Sequence, residues 1–230
     1  MPIAIVTGAS IGFGRALATD LAKDGWSLVV DGRRPQLLAD TAELLSGLGA
    51  DVRSLSGDVA DPEHRAALTA AAVELGGLDL LVNNASTLGP SPLPLLADLT
   101  PEVLRQVYEV NVIAPWALTR LTLPLLRRSR GTIISVSSDA AVEPYPGWGG
   151  YGSSKAALDQ LFRVWGVEQP DLHVYQFDPG DMRTEMHQAA FPGEDITDRP
   201  EPEAAVAPLR RLMVSGAPSG RHHAHDGDQT

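Results

Sequence analysis

The chain has 230 residues, no cysteine, 43% hydrophobic residues and a formal net charge of −11. That length supports a large α/β unit with a substantial core, and the hydrophobic fraction is that of an ordinary soluble protein. The negative charge argues against nucleic acid or an anionic membrane as partner, and the missing cysteines exclude disulfides and thiolate chemistry. The first strand pattern starts at Ile3, leaving no room for a signal peptide, and no apolar run reaches membrane-spanning length; a cytoplasmic protein is expected.

In chain order the pattern predicts strands over residues 3–7, 27–31, 51–56, 78–82, 132–137 and 173–177, with a short last one near 220–224. Helical periodicity fills the gaps at about 12–23, 35–48, 62–75, 101–128, 151–167 and 201–214. Apolar strands separated by helices imply a parallel sheet covered on both faces. Right-handed crossovers then give a Rossmann-type doubly wound α/β fold of about seven strands, with its ligand site beyond the carboxyl ends of the strands. We expect a single domain over residues 1–230, a substrate loop at about 181–203 and a polar tail at about 221–230. Breaker-rich loops at 90–94 and 191–202 fall at the expected site edge.

The turn after the first strand reads TGASIGFG, with Gly8, Gly12 and Gly14 in G-x3-G-x-G spacing. Absent side chains allow a tight turn, let backbone approach a pyrophosphate and aim a helix N-terminus at its charge. For the glycines alone, a strand–helix turn without a ligand is the plainer alternative. Farther along, Tyr151 and Lys155 in YGSSK lie four residues apart, hence on one helical face, and Ser138 precedes the tyrosine by thirteen residues. An ammonium there favours the phenolate and pulls the phenol pKa down from about 10, making the tyrosine a usable acid or base for a carbonyl/alcohol pair. Lys23 and Lys155 are the only lysines among 18 Lys and Arg, so a lysine kept beside this tyrosine suits a compact, tunable ammonium. Singly, Ser138 reads as a turn former and Asn111 as a helix amide bonding locally.

Together these motifs resemble the short-chain dehydrogenase/reductase family, in the branch with TGxxxGxG, from Ile3 to about Gly220. TGASIGFG, including Ser10 and Ile11, matches the family's cofactor loop. Asp58 and Val59 match its adenine-contacting pair, and NNA, with Asn84 and Ala85, matches its NNAG motif. Asn111 in YEVNV matches the asparagine of the long interface helix, while Ser138 and YGSSK match the active-site residues. Pro179, Gly180 and Thr184, with Met182 between them, match the PGxxxT segment that closes over the nicotinamide. The sequence departs from the family where Ser86 replaces the usual glycine after NNA, and where Ile11 stands in place of a basic residue frequent in NADP-dependent members.

The resemblance implies an NAD(P)-dependent oxidoreductase of the alcohol dehydrogenase or carbonyl reductase type. It would pass hydride between the nicotinamide and a ketone or secondary alcohol of a small, apolar substrate. Tyr151 would move the proton, Lys155 would lower its pKa and hold the nicotinamide ribose, Ser138 would orient the substrate oxygen, and Asn111 would anchor a water linking Lys155 to solvent. A catalytically silent sensor or scaffold on the same fold is the alternative.

Cofactor choice turns on LVVDGRRP at the second strand's end. An acid there binds the 2′-hydroxyl of NAD, and an arginine accommodates the 2′-phosphate of NADP. NAD-dependent relatives place their acid at the position of Gly32, so Asp31, offset by one, would point away from the ribose. Arg33, with Arg34 beside it, falls at the NADP position, and NADP is favoured over NAD.

Tyr145, Trp148, Met186 and His187 are the candidate substrate-pocket residues, since aromatics near a reaction centre form apolar walls. His64 starts a surface helix and His173 reads as structural. His222, His223 and His225 sit at a frayed terminus without fixed geometry, and no metal is assigned. The apolar pattern of 101–128, with that of the helix from Tyr151, is broader than one sheet-packed face needs, so at least a homodimer is expected. The polar tail would weaken a second contact, leaving homodimer and homotetramer both open.

Overall fold

The computed structural model describes residues 1–225; the rest of the polar tail, 226–230, lies outside the described residues. Short β-branched runs make the strands, and proline at the first helical turn starts α2, α3 and α4 where its missing N–H costs nothing. The elements are β1 Ile3–Val6, α1 Gly12–Lys23, β2 Ser27–Gly32, α2 Pro35–Gly47, β3 Val52–Ser56, α3 Pro62–Leu75, β4 Leu80–Asn83 and α4 Pro101–Tyr108. They continue as α5 Ala114–Ser129, β5 Thr132–Val136, α6 Gly149–Glu168, β6 His173–Asp178, α7 Glu185–Ala190, α8 Val206–Ser215 and β7 Gly220–His223.

The seven strands form one parallel sheet in the order β3-β2-β1-β4-β5-β6-β7. This is the doubly wound α/β fold expected from the sequence. Alternation along the strands sorts the core into two layers. Ala4, Val6, Val30 and Val82 pack with Leu17 and Leu21 on one face. Ile3, Ile5, Val29 and Leu81 pack with Leu118, Leu126 and Phe162 on the other. Strand order reverses between β1 and β4, so the crevice beyond their carboxyl ends is where such a sheet opens.

The structure corrects several expectations. The helix expected over 101–128 is α4 and α5 joined by a π-helical turn at Glu109–Ile113, in which the Ala114 amide donates to the Glu109 carbonyl. Pro115 explains the break: it lacks the N–H that the Asn111 carbonyl, four residues back, would otherwise receive. The last helix is shorter than expected, because Pro202–Ala205 winds as a 3-10 turn before α8. Helix α7, inside the expected loop 181–203, is capped by the Thr184 hydroxyl accepting from the His187 amide at 3.1 Å.

Histidines also moved. His64 is buried, not on the surface, with Nε2 3.0 Å from Asp31 Oδ2. His222 and His223 lie in β7 and not on a frayed end; His223 Nδ1 sits 3.3 Å from Asp178 Oδ2. Among the described residues no helix is long and apolar enough to cross a membrane.

Candidate active site

A cleft of about 720 Å³ opens at the carboxyl edge of the sheet, over the β1/β4 switch point. Its floor at one end is the turn after β1. Gly8 there has φ +65°, a conformation that suits glycine, and its amide donates to Asp31 Oδ1 at 2.6 Å. A side chain at Gly14 would bring Cβ within 2.6 Å of the Gly8 carbonyl oxygen and 2.4 Å of Asn84 Nδ2. The loop therefore folds back against α1 only because that side chain is missing, and it leaves a cradle of backbone at a helix N-terminus. Asn84 pins the arrangement, its Nδ2 donating to the Thr7 and Gly8 carbonyls at 2.8 and 3.1 Å.

The second strand settles where its acid points. Asp31 is almost wholly buried, with one oxygen on the Gly8 amide and the other on His64. At Gly32 a Cβ would come 2.9 Å from Ser10 Cβ and Oγ, so an acid cannot be seated there without displacing the loop. Arg33 is exposed on the cleft rim and makes no ion pair among the described residues. Arg34 is engaged, pairing with Glu185 of α7 at 2.9 Å across the rim. These residues fit a nicotinamide dinucleotide: the glycine cradle would suit a pyrophosphate, and the exposed Arg33 guanidinium a phosphate at the rim.

At the other end of the cleft, β5 and α6 bring Ser138, Tyr151 and Lys155 together, with Asn111 behind them. Tyr151 is buried, and burial raises its phenol above the ordinary value, opposed by hydrogen bonds with the Ser138 and Ser86 hydroxyls. The expectation that Lys155 dominates, drawing the phenol pKa down, is thus overturned for the free protein: desolvation wins, and the phenol is neutral. Lys155 is itself buried, donating to the Val136 carbonyl at 2.8 Å and lying 5.5 Å from the Tyr151 ring centroid. Burial pulls its ammonium down to about 8, while Asp159 and Asp178 pull the other way. Ser138 Oγ donates to Asp139 Oδ1 at 3.0 Å and caps the short turn Asp139–Ala141.

Most of the residues singled out in the sequence line this one cleft: Gly8, Ser10, Ile11, Gly12, Asp58, Val59, Asn84, Ala85, Pro179, Gly180, Met182, Thr184, Trp148, Met186 and His187 among them. Three do not. Gly14 works from beneath the loop. Asn111 is buried with its amide fully used, donating to the Thr87 carbonyl and Ser154 Oγ and accepting from the Thr87 amide and Ser86 Oγ. Tyr145 stands back from the cleft, bonded to Asp139 Oδ2 at 3.0 Å and edge-on to Trp148. Phe191 was not singled out, yet its ring lies 5.8 Å from Trp148 and 4.9 Å from His187, extending the aromatic wall that continues through Trp148 to Tyr151. Its only sequence signal was an aromatic in a loop.

The family model for short chain dehydrogenases matches residues 2–195. The chain belongs to the short chain dehydrogenase family. Among curated relatives it is 33% identical to sepiapterin reductase of Xenopus laevis over 95% of this chain and 84% of that protein. It is 34% identical to 11-beta-hydroxysteroid dehydrogenase A of Sesamum indicum, over 94% of this chain but only 63% of the relative's length. Similar solved structures include an alcohol dehydrogenase of Thermococcus sibiricus complexed with 5-hydroxy-NADP, with 28% identity, a TM-score of 0.86 and 97% and 95% of the two chains covered. A short chain dehydrogenase of Shigella flexneri complexed with NADP gives 29% identity and a TM-score of 0.89, covering 97% of each chain.

Behind this dehydrogenase's cleft, Arg221 of β7 gathers two buried carboxylates. Its guanidinium lies 2.5 Å from Asp159 Oδ2 and 2.7 Å from Asp178 Oδ2, and donates to the Ser138 carbonyl at 2.9 Å. Burial raises the Asp178 pKa, opposed by the Gly180 amide, Arg221 and His223. A carboxyl raised in the folded state weighs against folding above its folded pKa, and that penalty vanishes below the unfolded value. Arg221→Met should therefore cost about 3–5 kcal/mol in urea unfolding at neutral pH, because it strands buried charge. The loss should shrink toward acid pH as Asp178 protonates; a loss independent of pH would count against this charge balance.

Proposed function

We propose that this protein is an NADP(H)-dependent oxidoreductase of the carbonyl reductase or alcohol dehydrogenase type, acting on a ketone or secondary alcohol of a small apolar substrate. The reading rests on one observation above all: a buried phenol, a buried ammonium and the half-buried Ser138 hydroxyl line one end of a cleft whose other end is a glycine cradle. It takes residues 1–230 as a single domain.

The bound nicotinamide supplies or accepts the hydride. The chain's own residues do the rest. Tyr151 is set to exchange a proton with the substrate oxygen, donating it to a carbonyl or accepting it from an alcohol. Ser138 orients that oxygen by hydrogen bonding. Lys155, with a pKa near 8, is poised to return a proton to the phenol's surroundings and to hold the ribose. A water-linked exit from Lys155 would rest on the Asn111 carbonyl, which Pro115 deprives of a helical donor, since the Asn111 side chain is already committed. Trp148, His187, Met186 and Phe191 supply the apolar wall for the substrate.

Tyr151→Phe should lower turnover by roughly 10²–10⁴-fold, the scale of positioned proton transfer, with cofactor affinity retained. The assay is NADPH oxidation against a panel of ketones, aldehydes and diketones; near-normal rates in the variant would sink this acid/base assignment.

NADP over NAD rests on Arg33, exposed at the rim with no ion pair among the described residues, and on Gly32, where an acid would strike Ser10. The NADP-bound structural relatives support the same choice. Arg33→Ala should raise the NADPH KM far more than the NADH KM; equal changes would return the question to NAD.

We also propose a homodimer through α4, α5 and α6. Phe162, Leu118 and Leu125 are core residues and do not contribute, but Ile113, Leu121, Val164 and Val167 remain exposed. Light scattering coupled to size exclusion at micromolar concentration should give a dimer; a monomer would refute it, and a stable tetramer would show that the polar tail does not weaken a second contact.

A further inference from the structure

At its catalytic end the cleft carries an aromatic ring and a charge that together narrow what can enter. The ring is an indole held in place. Trp148 lines the cleft and is half-buried, so part of its side chain borders the space a substrate would fill. Tyr151 and Tyr145 meet it edge-on, with ring centroids 5.7 and 6.4 Å away, and Phe191 tilts against it at 5.8 Å. Three rings thus fix the indole plane before any ligand arrives, which spares a ligand the cost of ordering it. The charge is an unopposed carboxylate. Asp139 follows Ser138 directly, lines the same cleft and is exposed. Its partners are neutral donors, the Ser138 and Tyr145 hydroxyls at 3.0 Å each and the Ala140 amide at 2.8 Å, and it makes no ion pair among the described residues.

We propose that the substrate is an aryl ketone, or the corresponding benzylic alcohol, that carries no negative charge: Trp148 is the platform for its ring and Asp139 the group that turns anions away. An aromatic ring against an indole gains more than the same area of saturated carbon, because the charge distributions of face and edge match. An arene attached to the carbonyl is also within reach, since Trp148 packs on the same tyrosine whose phenol faces the carbonyl oxygen in the proposed reaction. An anionic substituent would lose water beside Asp139 with no cation to receive it. Other charged groups lining the cleft do not supply one. Asp181 is itself an acid, already taken up by Arg199 at 3.6 Å, and Lys155 is buried on the Val136 carbonyl. Arg33 and Arg34 stand toward the glycine cradle, Arg34 already paired with Glu185.

This substrate class rests on the oxidoreductase reading of the cleft, and the test separates the two. NADPH oxidation is followed with phenyl methyl ketone, cyclohexyl methyl ketone, and the phenyl compound bearing a para carboxymethyl or a para trimethylammoniomethyl group. The phenyl ketone should exceed the cyclohexyl ketone in kcat/KM by roughly tenfold, the scale of one aromatic pair. Trp148→Leu should remove that ratio, and Trp148→Phe should keep most of it. The cationic ketone should exceed the anionic one by roughly fivefold at low ionic strength, the scale of one exposed charge contact. That ratio should collapse toward one in Asp139→Asn, and equally in the unaltered protein at high salt. Ratios cancel any general loss of activity in a variant, and the salt arm needs no variant. Equal handling of the phenyl and cyclohexyl ketones, a phenyl preference untouched by Trp148→Leu, or a charge ratio that neither salt nor Asp139→Asn moves overturns the proposal. Calorimetric binding of the same ketones to the protein with NADP, a pairing that cannot react, yields the same two ratios. With no turnover of any ketone the oxidoreductase reading falls, and the binding ratios still decide whether the cleft selects uncharged or cationic arenes.

Discussion

An ammonium kept out of water is the constraint on which the rest of this site depends. Lys155 is only 2% exposed, and an isolated charge at that depth would lose most of its solvation. The protein keeps it by lodging Nζ on the Val136 carbonyl and by placing Asp159 and Asp178 within electrostatic reach. Those carboxylates need their own counter-charge, which Arg221 brings from the edge strand β7. A chain of compensation therefore runs from the sheet's last strand to the proposed reaction centre.

The same burial sets the chemistry of the neighbouring tyrosine. With the lysine near 8 and the phenol raised, neither group is fixed in its charged form in the free protein. Hydroxyls do the fine adjustment: Ser138 from the end of β5 and Ser86 from the loop after β4 arrive from adjacent strands. Asn111 sits where helix regularity fails, and Pro115 is the reason it fails. The π turn is thus a feature the sheet-packing helix tolerates while a buried amide braces two loops.

At the end of the cleft proposed for the cofactor, the selectivity we propose rests on space as much as on charge. Asp31, the acid nearest the expected ribose position, is withdrawn to hold the Gly8 amide and His64. Gly57 makes room for that histidine, since a Cβ there would lie 2.3 Å from its ring. A buried aspartate, a histidine and two glycines together shape a loop that presents backbone to the cleft and leaves Arg33 on its rim.

The order of strands and helices, the parallel sheet, the glycine turn and the tyrosine–lysine pair were all legible in the sequence. Each is written in local signals: apolar runs, helical period, absent side chains and a four-residue spacing. Other features depended on groups far apart in the chain. Pairing of Asp31 with His64, of Arg221 with Asp159 and Asp178, and of Ser86 with Asn111 spans from about two dozen to more than sixty residues, and no local pattern encodes such meetings. The sign of the Tyr151 shift belongs to the same class. Spacing put a cation beside the phenol, but only the packed fold could decide that desolvation outweighs it, because burial is a property of everything that surrounds a residue and not of its neighbours in sequence.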